Sequence, residues 1–250
     1  MLNTLLFYIL VFHILWASFA ILIHRSKMHR HYDLHPILEH ILRFLIWLTY
    51  GFYFKNWCSS LVAQHRKHHK VSDSWTNYRE YDPVSPHIFT LKQLMNFDKI
   101  GPGTQLYTSP IDILKYAKDT KDYNDWIENN LYLKHPKVGL IITWIASTLL
   151  FGLWGFILGG IWRFFNIQII TLTASALHVI GYRTSSPLVP TDKSVNIFPI
   201  GILLAGEELH ANHHDNSGKL NYANHWWEFD LGYWYAIILS KLGLLKFIKK

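Results

Sequence analysis

Three short runs concentrate imidazole. HRSKMH supplies His24 and His29, QHRKHHK supplies His65, His68 and His69, and GEELHANHH supplies His210, His213 and His214. In the second and third runs the spacing is i, i+3, i+4, which sets three imidazoles on one face of a helix. A single helical histidine is usually explained by burial and hydrogen bonding. Two triplets of identical spacing point to a shared task. Imidazole suits iron, zinc, copper and nickel. A structural zinc site takes four ligands, usually with cysteine among them. These runs hold eight histidines, and the chain has one cysteine, Cys58. Eight imidazoles exceed one such site and suit two metal ions with positions left open for a further ligand. Carboxylate di-iron bundles use Glu and Glu-x-x-His pairs, a different pattern. A mostly neutral histidine shell points to a non-haem iron pair that handles oxygen, with zinc left open on this ground alone.

Metal-bound histidines usually donate their other N–H to a carboxylate or carbonyl. Glu207, Glu208, Asn196 and Asp230 stand where they could accept, the alternative for each being a solvated loop position. Arg25 and Arg66 directly follow histidines of these runs and are expected to pair with such acids or with an anionic head group. Of the remaining histidines, His13 is expected to be structural, while His31 and His35 are outer-shell candidates. The lone Cys58 excludes an internal disulfide and a thiolate-held iron–sulfur cluster. It is expected to be a small buried apolar residue.

The elements that must carry these groups are apolar. Half the residues are hydrophobic and only 16% are charged, against about 25% in ordinary soluble domains. Eleven Trp, fourteen Tyr and fifteen Phe fit a chain that meets a membrane interface. Residues 2–23 carry no formal charge and are long enough to cross a hydrocarbon core of about 30 Å. A basic n-region and a cleavage site are missing, which favours a retained span over a secretory signal. Residues 138–160 and 161–180 are expected to form a helical hairpin turning near Gly159-Gly160. Residues 37–54 suit a helix lying in the interface, with Glu39, His40 and Arg43 on one face. Residues 231–250 suggest a second such helix. IFPIGILLAG, 197–206, is too short to span and is expected to close the site against the membrane. Residues 70–137 form a polar insertion with a helix expected near 110–133, and 181–250 form a C-terminal cap. No internal repeat is visible.

Sidedness follows from the basic residues. Sixteen of the 24 Lys and Arg lie in 24–137, seven follow 180, and Arg163 alone falls between the hairpin spans. The positive-inside rule then places 24–137 and 181–250 in the cytoplasm, with the N-terminus outside. The formal charge of +7 is explained by these loops. No basic stripe with a nucleic-acid-binding motif is present, so nucleic acid is not an expected partner. The resulting fold class is all-α and integral to the membrane. It comprises about three transmembrane helices, interfacial amphipathic helices and a cytoplasmic histidine-rich di-metal cap, all within a single domain, 1–250.

In order and spacing, HRSKMH, HRKHH and HANHH resemble the three histidine boxes of the integral-membrane fatty acid desaturases, most of all the bacterial acyl-CoA desaturase-like branch. RFLIWLTYG, DWIENNLY, ALHVIGYR and WWEFDLGYWY look like the same branch, so the likeness runs from about residue 20 to the C-terminus. The resemblance implies one more ligand from the last span, at the position of His178. That completes a candidate set of His24, His29, His65, His68, His69, His178, His210, His213 and His214. Some members of the branch carry Asn four residues before that histidine, where this chain has Ala174. The resemblance further implies two Fe2+ ions, O2 as co-substrate, and a mid-chain double bond introduced into a fatty acyl group carried by CoA, acyl-carrier protein or phospholipid. An apolar tunnel walled by the first span and the hairpin is expected. The chain has no thiolate cluster and no G-x-G-x-x-G fingerprint. An external ferredoxin or cytochrome with its reductase is therefore the expected electron donor. The expected location is the inner, cytoplasmic membrane, with the site on the cytoplasmic side. The alternatives are a hydroxylase or acetylenase on the same scaffold, and a His-rich membrane metal-binding protein.

Overall fold

A computed structural model describes residues 1–51, 53–74, 81–84 and 108–248. The uncharged N-terminal run forms helix α1, Leu2–Phe19. It continues without a break as a π-helical segment, Ala20–Met28. Residues five apart, such as His24 and His29, would sit about 140° apart around an α-helix. The wider π turn closes that gap: the His29 amide donates to the His24 carbonyl at 3.1 Å, and the two rings lie 4.9 Å apart. π turns of this kind are frequent at functional sites.

Helix α2, Pro36–Thr49, starts on proline and is capped by the His35 side chain, which accepts from the Ile37 amide. On its polar face Arg43 turns into protein, Glu39 is half-buried and His40 is exposed. Arg43 is buried, and its guanidinium donates to Glu128 at 3.0 Å and to His40 Nδ1 at 2.6 Å. It also pairs with Asp125. Helix α3, Trp57–Val71, carries the second histidine run. In the polar insertion, helix α4 is Pro110–Tyr116, with Ser109 capping Asp112, and a π turn follows at Glu128–Tyr132. The single helix expected near 110–133 is therefore two short ones. Residues 75–80 and 85–107 of that insertion lie outside the described residues.

Helices α5, Val138–Phe151, and α6, Leu153–Ala176, pack closely as a hairpin. Its turn falls at Gly152, where φ is +58°, and not at Gly159-Gly160. The reason is helix–helix approach. A Cβ on Gly155 would come within 1.8 Å of the Ser147 carbonyl, and one on Gly159 within 2.3 Å of Trp144. Gly155 lets the two backbones touch, and Gly159 makes room for the Trp144 and Tyr8 side chains, rather than either bending the chain. Arg163 consequently lies inside α6 rather than in a turn. Among the described residues, two helical stretches, Leu2–Met28 and Leu153–Ala176, are long and apolar enough to cross a membrane, and α5 is a shorter apolar helix.

The cap is held by short pieces. Helix α7, His210–Asp215, carries the third histidine run, and helix α8, Leu231–Lys241, is capped by Asp230. Strands add to the expected all-α architecture: β1, Tyr32–Leu34, pairs antiparallel with β4, Leu245–Phe247, and β2, Ile200–Gly201, pairs parallel with β3, Phe229–Asp230. The first pair ties the C-terminal region to the chain just after His29. The largest hydrophobic cluster includes Ile21, Leu22, Leu42, Trp57 and Val62, packed where α2, α3 and the π segment meet.

Candidate metal centre

All nine candidate histidines come together, in two groups. His24, His29, His65, His69 and His213 form one, and His68, His178, His210 and His214 form the other, with ligand atoms in each group within 4.8 Å of one another. Each helical triplet is divided. On α3, His65 and His69 face the first group and His68 the second. On α7, His210 and His214 face the second and His213 the first. Two helices therefore grip both groups, while the π segment and the end of α6 add His24, His29 and His178.

The ring nitrogens converge through Nε2. In the first group, His24 lies 3.1 Å from His65 and 3.0 Å from His213, and His29 lies 2.7 Å from His65. His69 lies 2.9 Å from His65 and 3.0 Å from His213. In the second group, His68 lies 3.2 Å from His214, and His178 lies 3.1 Å from His210. Nitrogens bound at about 2.0–2.1 Å to a common ion sit about 2.8–3.4 Å apart at right-angle to tetrahedral geometry.

The opposite nitrogens show why the interior is electron-rich. His68 Nδ1 donates to Asp82 at 2.8 Å, and His178 Nδ1 to Asp73 at 2.9 Å. Glu207 lies 2.5 Å from His24 Nδ1, and Asp192 lies 3.1 Å from His214 Nδ1. A neutral ring that commits its proton at Nδ1 turns a lone pair inward at Nε2. Burial holds His65, His69, His210, His213 and His214 well below the usual histidine range, and neighbouring imidazoles push the same way. Facing lone pairs at such distances repel unless a cation lies between them. The donor set therefore fits a divalent metal ion in each group.

The other expected outer-shell residues sit one step away. Glu208 accepts from the backbone amides of Leu204 and Gly206 at 2.7 and 3.2 Å. Asn196 exchanges hydrogen bonds with Asn212 and so fixes α7 from its flank. Asp230 pairs with the buried Arg25 at 2.9 Å. None of these three bonds a box histidine among the described residues, because each is consumed by backbone amides, an amide side chain or a guanidinium. Arg66 pairs with Asp119 and donates to the Lys27 and Met28 carbonyls. Glu207 was singled out from the sequence; the other acids that meet histidines, Asp73, Asp82 and Asp192, were not. Asp192 had a signal, its place in the loop after His178, whereas Asp73 and Asp82 had none.

An apolar cavity of about 230 Å³ ends on both groups. Leu15, Trp16 and Phe19 of α1 and Ile170, Thr171 and Ala174 of α6 line it, and His24, His65, His68, His178 and His210 also contribute to its wall. A second cavity, of about 410 Å³, is lined by His29 and His69 with Arg30, Arg66 and Asp119.

No family model matches the chain. Individual proteins do. It is 30% identical to the sn-1 stearoyl-lipid 9-desaturase of Synechocystis sp., over 90% of this chain and 65% of that protein. It is 30% identical to the hex-5-enoyl-[acyl-carrier protein] acetylenase of Moorena producens, over 76% of this chain and 60% of that protein. It is 26% identical to the acyl-CoA 5-desaturase of Anemone leveillei, over 90% of this chain and 65% of that protein. The chain thus spans between 60% and 65% of the length of these relatives. Relatives of this kind match over most of the chain, so the chain belongs to the fatty acid desaturase family.

Proposed function

We propose that the protein is an oxygen-dependent acyl desaturase that introduces a carbon–carbon double bond into a long-chain fatty acyl group. The single observation that carries this reading is the apolar cavity whose wall includes histidines of both groups. A hydrocarbon chain lying in it would bring two adjacent methylenes beside the histidine groups, as orientation-driven catalysis requires. In this reading His24, His29, His65, His69 and His213 hold one Fe2+, and His68, His178, His210 and His214 hold the other. The irons, when bound, supply the O2 chemistry that unactivated methylenes need. The protein's own part is placement. Trp16, Phe19 and Ala174 line the cavity and shape the acyl path, and their apolar surface excludes water from it. Asp82 and Asp73 accept the Nδ1 protons of His68 and His178, which keeps their Nε2 lone pairs aimed inward, and Glu207 and Asp192 lie beside the Nδ1 atoms of His24 and His214.

The same reading places α1, α5 and α6 across a membrane, with the histidine groups and both loop regions on the cytoplasmic side. The acyl carrier is CoA, acyl-carrier protein or a phospholipid. Electrons come from an external ferredoxin, or from a cytochrome with its reductase, and the cavity between Arg30, Arg66, His29 and His69 supports their entry next to the first group. The acetylenase among the relatives keeps a second reading open, in which the product is a triple bond. One experiment tests both. Cells expressing the protein are fed saturated and monounsaturated fatty acids, and their lipids are compared by mass spectrometry with those of cells expressing His213→Ala. New unsaturation that needs His213 supports the proposal. Iron-loaded, folded protein without any unsaturated or acetylenic product overturns it.

A further inference from the structure

The turn at residues 198–203 is exposed at apolar side chains: Phe198 is 56% exposed, Ile202 50% and Leu203 45%. Its position along α1 says what covers it. His13 Nδ1 donates to the Leu203 carbonyl at 3.1 Å, and His13 Nε2 accepts from the Tyr235 hydroxyl at 2.9 Å. His13 is the midpoint of the uncharged run 2–23 and lies eleven residues before His24. That separation is about 16 Å along a helix, or roughly half a hydrocarbon core. Ile9 and Leu10, on the neighbouring turn of α1, are themselves exposed.

Non-helical backbone is tolerated at that depth only where its polar groups are satisfied within the protein. Several polar groups of this turn and of the residues just after it are satisfied within the protein. The buried Glu208 carboxylate takes the amides of Leu204 and Gly206. The Phe229 amide takes the Pro199 carbonyl at 2.8 Å, and the Ile202 amide takes the Ile200 carbonyl at 2.9 Å. A mid-helix histidine serves Leu203. In water, solvent would meet these needs without a buried carboxylate and an imidazole.

We propose that residues 198–203 are a re-entrant element that dips into the acyl-chain region of the bilayer beside α1, pinned there by His13 and Glu208. The inference rests on the proposed reading that α1 crosses the membrane. The partner is the hydrocarbon of one leaflet, and the cap is therefore partly embedded.

The test uses the full chain in phosphatidylcholine vesicles. Single cysteines at Ile202→Cys, Ile145→Cys in mid-α5 and Leu114→Cys in α4 carry an environment-sensitive fluorophore. Cys58 is buried with its thiol pushed up to about 12, so it stays unlabelled. Each label is challenged with brominated acyl chains and with aqueous iodide. The expected result is severalfold stronger quenching by bromolipid than by iodide at Ile202 and Ile145, with the reverse at Leu114. Adding His13→Ala is expected to shift the Ile202 label towards iodide, and no shift overturns the pinning role. An Ile202 label that follows Leu114 overturns the embedding. So does one that answers to neither quencher, since protein would then cover the turn. If the Ile145 label also answers to iodide, the membrane reading itself fails, a result distinct from failure at Ile202 alone. Catalytic activity enters none of these readouts.

Discussion

His68 and His69 are neighbours in the chain, yet they serve different groups. His68 Nε2 lies 3.2 Å from His214, and His69 Nε2 lies 2.9 Å from His65. Adjacent positions on a helix point about 100° apart, so α3 must run alongside both groups, which abut where the His69 ring meets that of His214 at 4.3 Å. The division makes a sharp expectation. His68→Ala and His69→Ala should each lower the bound metal by about one equivalent, because each strips a ligand from a different ion. The double variant should retain little. Elemental analysis of purified protein checks this. Equal, complete loss in both single variants would mean that the groups are one cooperative site.

Asp82 is fully buried and takes the Nδ1 proton of His68. Asp82→Asn should weaken metal retention by about 10–100-fold, the usual effect of losing an outer-shell carboxylate. Glu208→Gln should behave differently, since Glu208 holds backbone amides and no histidine. It should keep its metal while losing about 1–3 kcal/mol of stability, the cost of poorly satisfied buried groups. Chelator competition, paired with thermal unfolding, separates the two effects.

These carboxylates mark the limit of what the sequence reveals. The histidines were legible because a helix converts i, i+3, i+4 spacing into one face, and His178 was legible through resemblance. The division of each triplet between two groups was not, since it depends on how α3 and α7 cross in space. Asp73 and Asp82 lie in a polar stretch that offers no periodicity, and only the folded loop brings them to His178 and His68. Glu208 and Asp230 looked equivalent to Glu207, but backbone φ of +94° at Gly206 directs the neighbouring carboxylates to different partners. The hairpin was legible as apolar length. Its turn was misplaced because a Gly-Gly pair signals a bend and a close helix contact equally well, and Trp144 packed against Gly159 decides for contact.

Arg25 and Asp230 form an ion pair in which both side chains are 0% exposed. Arg25 also donates to the Leu220 carbonyl at 2.9 Å and lies over the Tyr222 ring, which packs 4.5 Å from His213. Breaking a buried pair from one side typically costs about 3–5 kcal/mol. Arg25→Met should therefore lower the unfolding temperature in detergent markedly. Arg25→Lys should rescue it only in part, because an ammonium cannot reproduce the guanidinium fork. A full rescue by Lys would show that charge alone, without geometry, holds this contact.

Ala174 tests the acyl path directly. It lines the apolar cavity on α6, one turn before His178, and is not itself a ligand candidate. Ala174→Phe adds a ring to a cavity of about 230 Å³, so a long acyl chain should no longer reach the histidines. Metal content should stay at the level of the unaltered protein, since the nine histidines and their carboxylates are untouched. Unsaturated product from long chains should fall by about a hundredfold, the loss that displacing a reacting group by an ångström can cause. Ala174→Ser, which adds one oxygen, should keep most of the activity. Lipid analysis of cells expressing each variant, with elemental analysis of the same protein, provides the check. Full activity of Ala174→Phe on long chains would place the acyl path elsewhere.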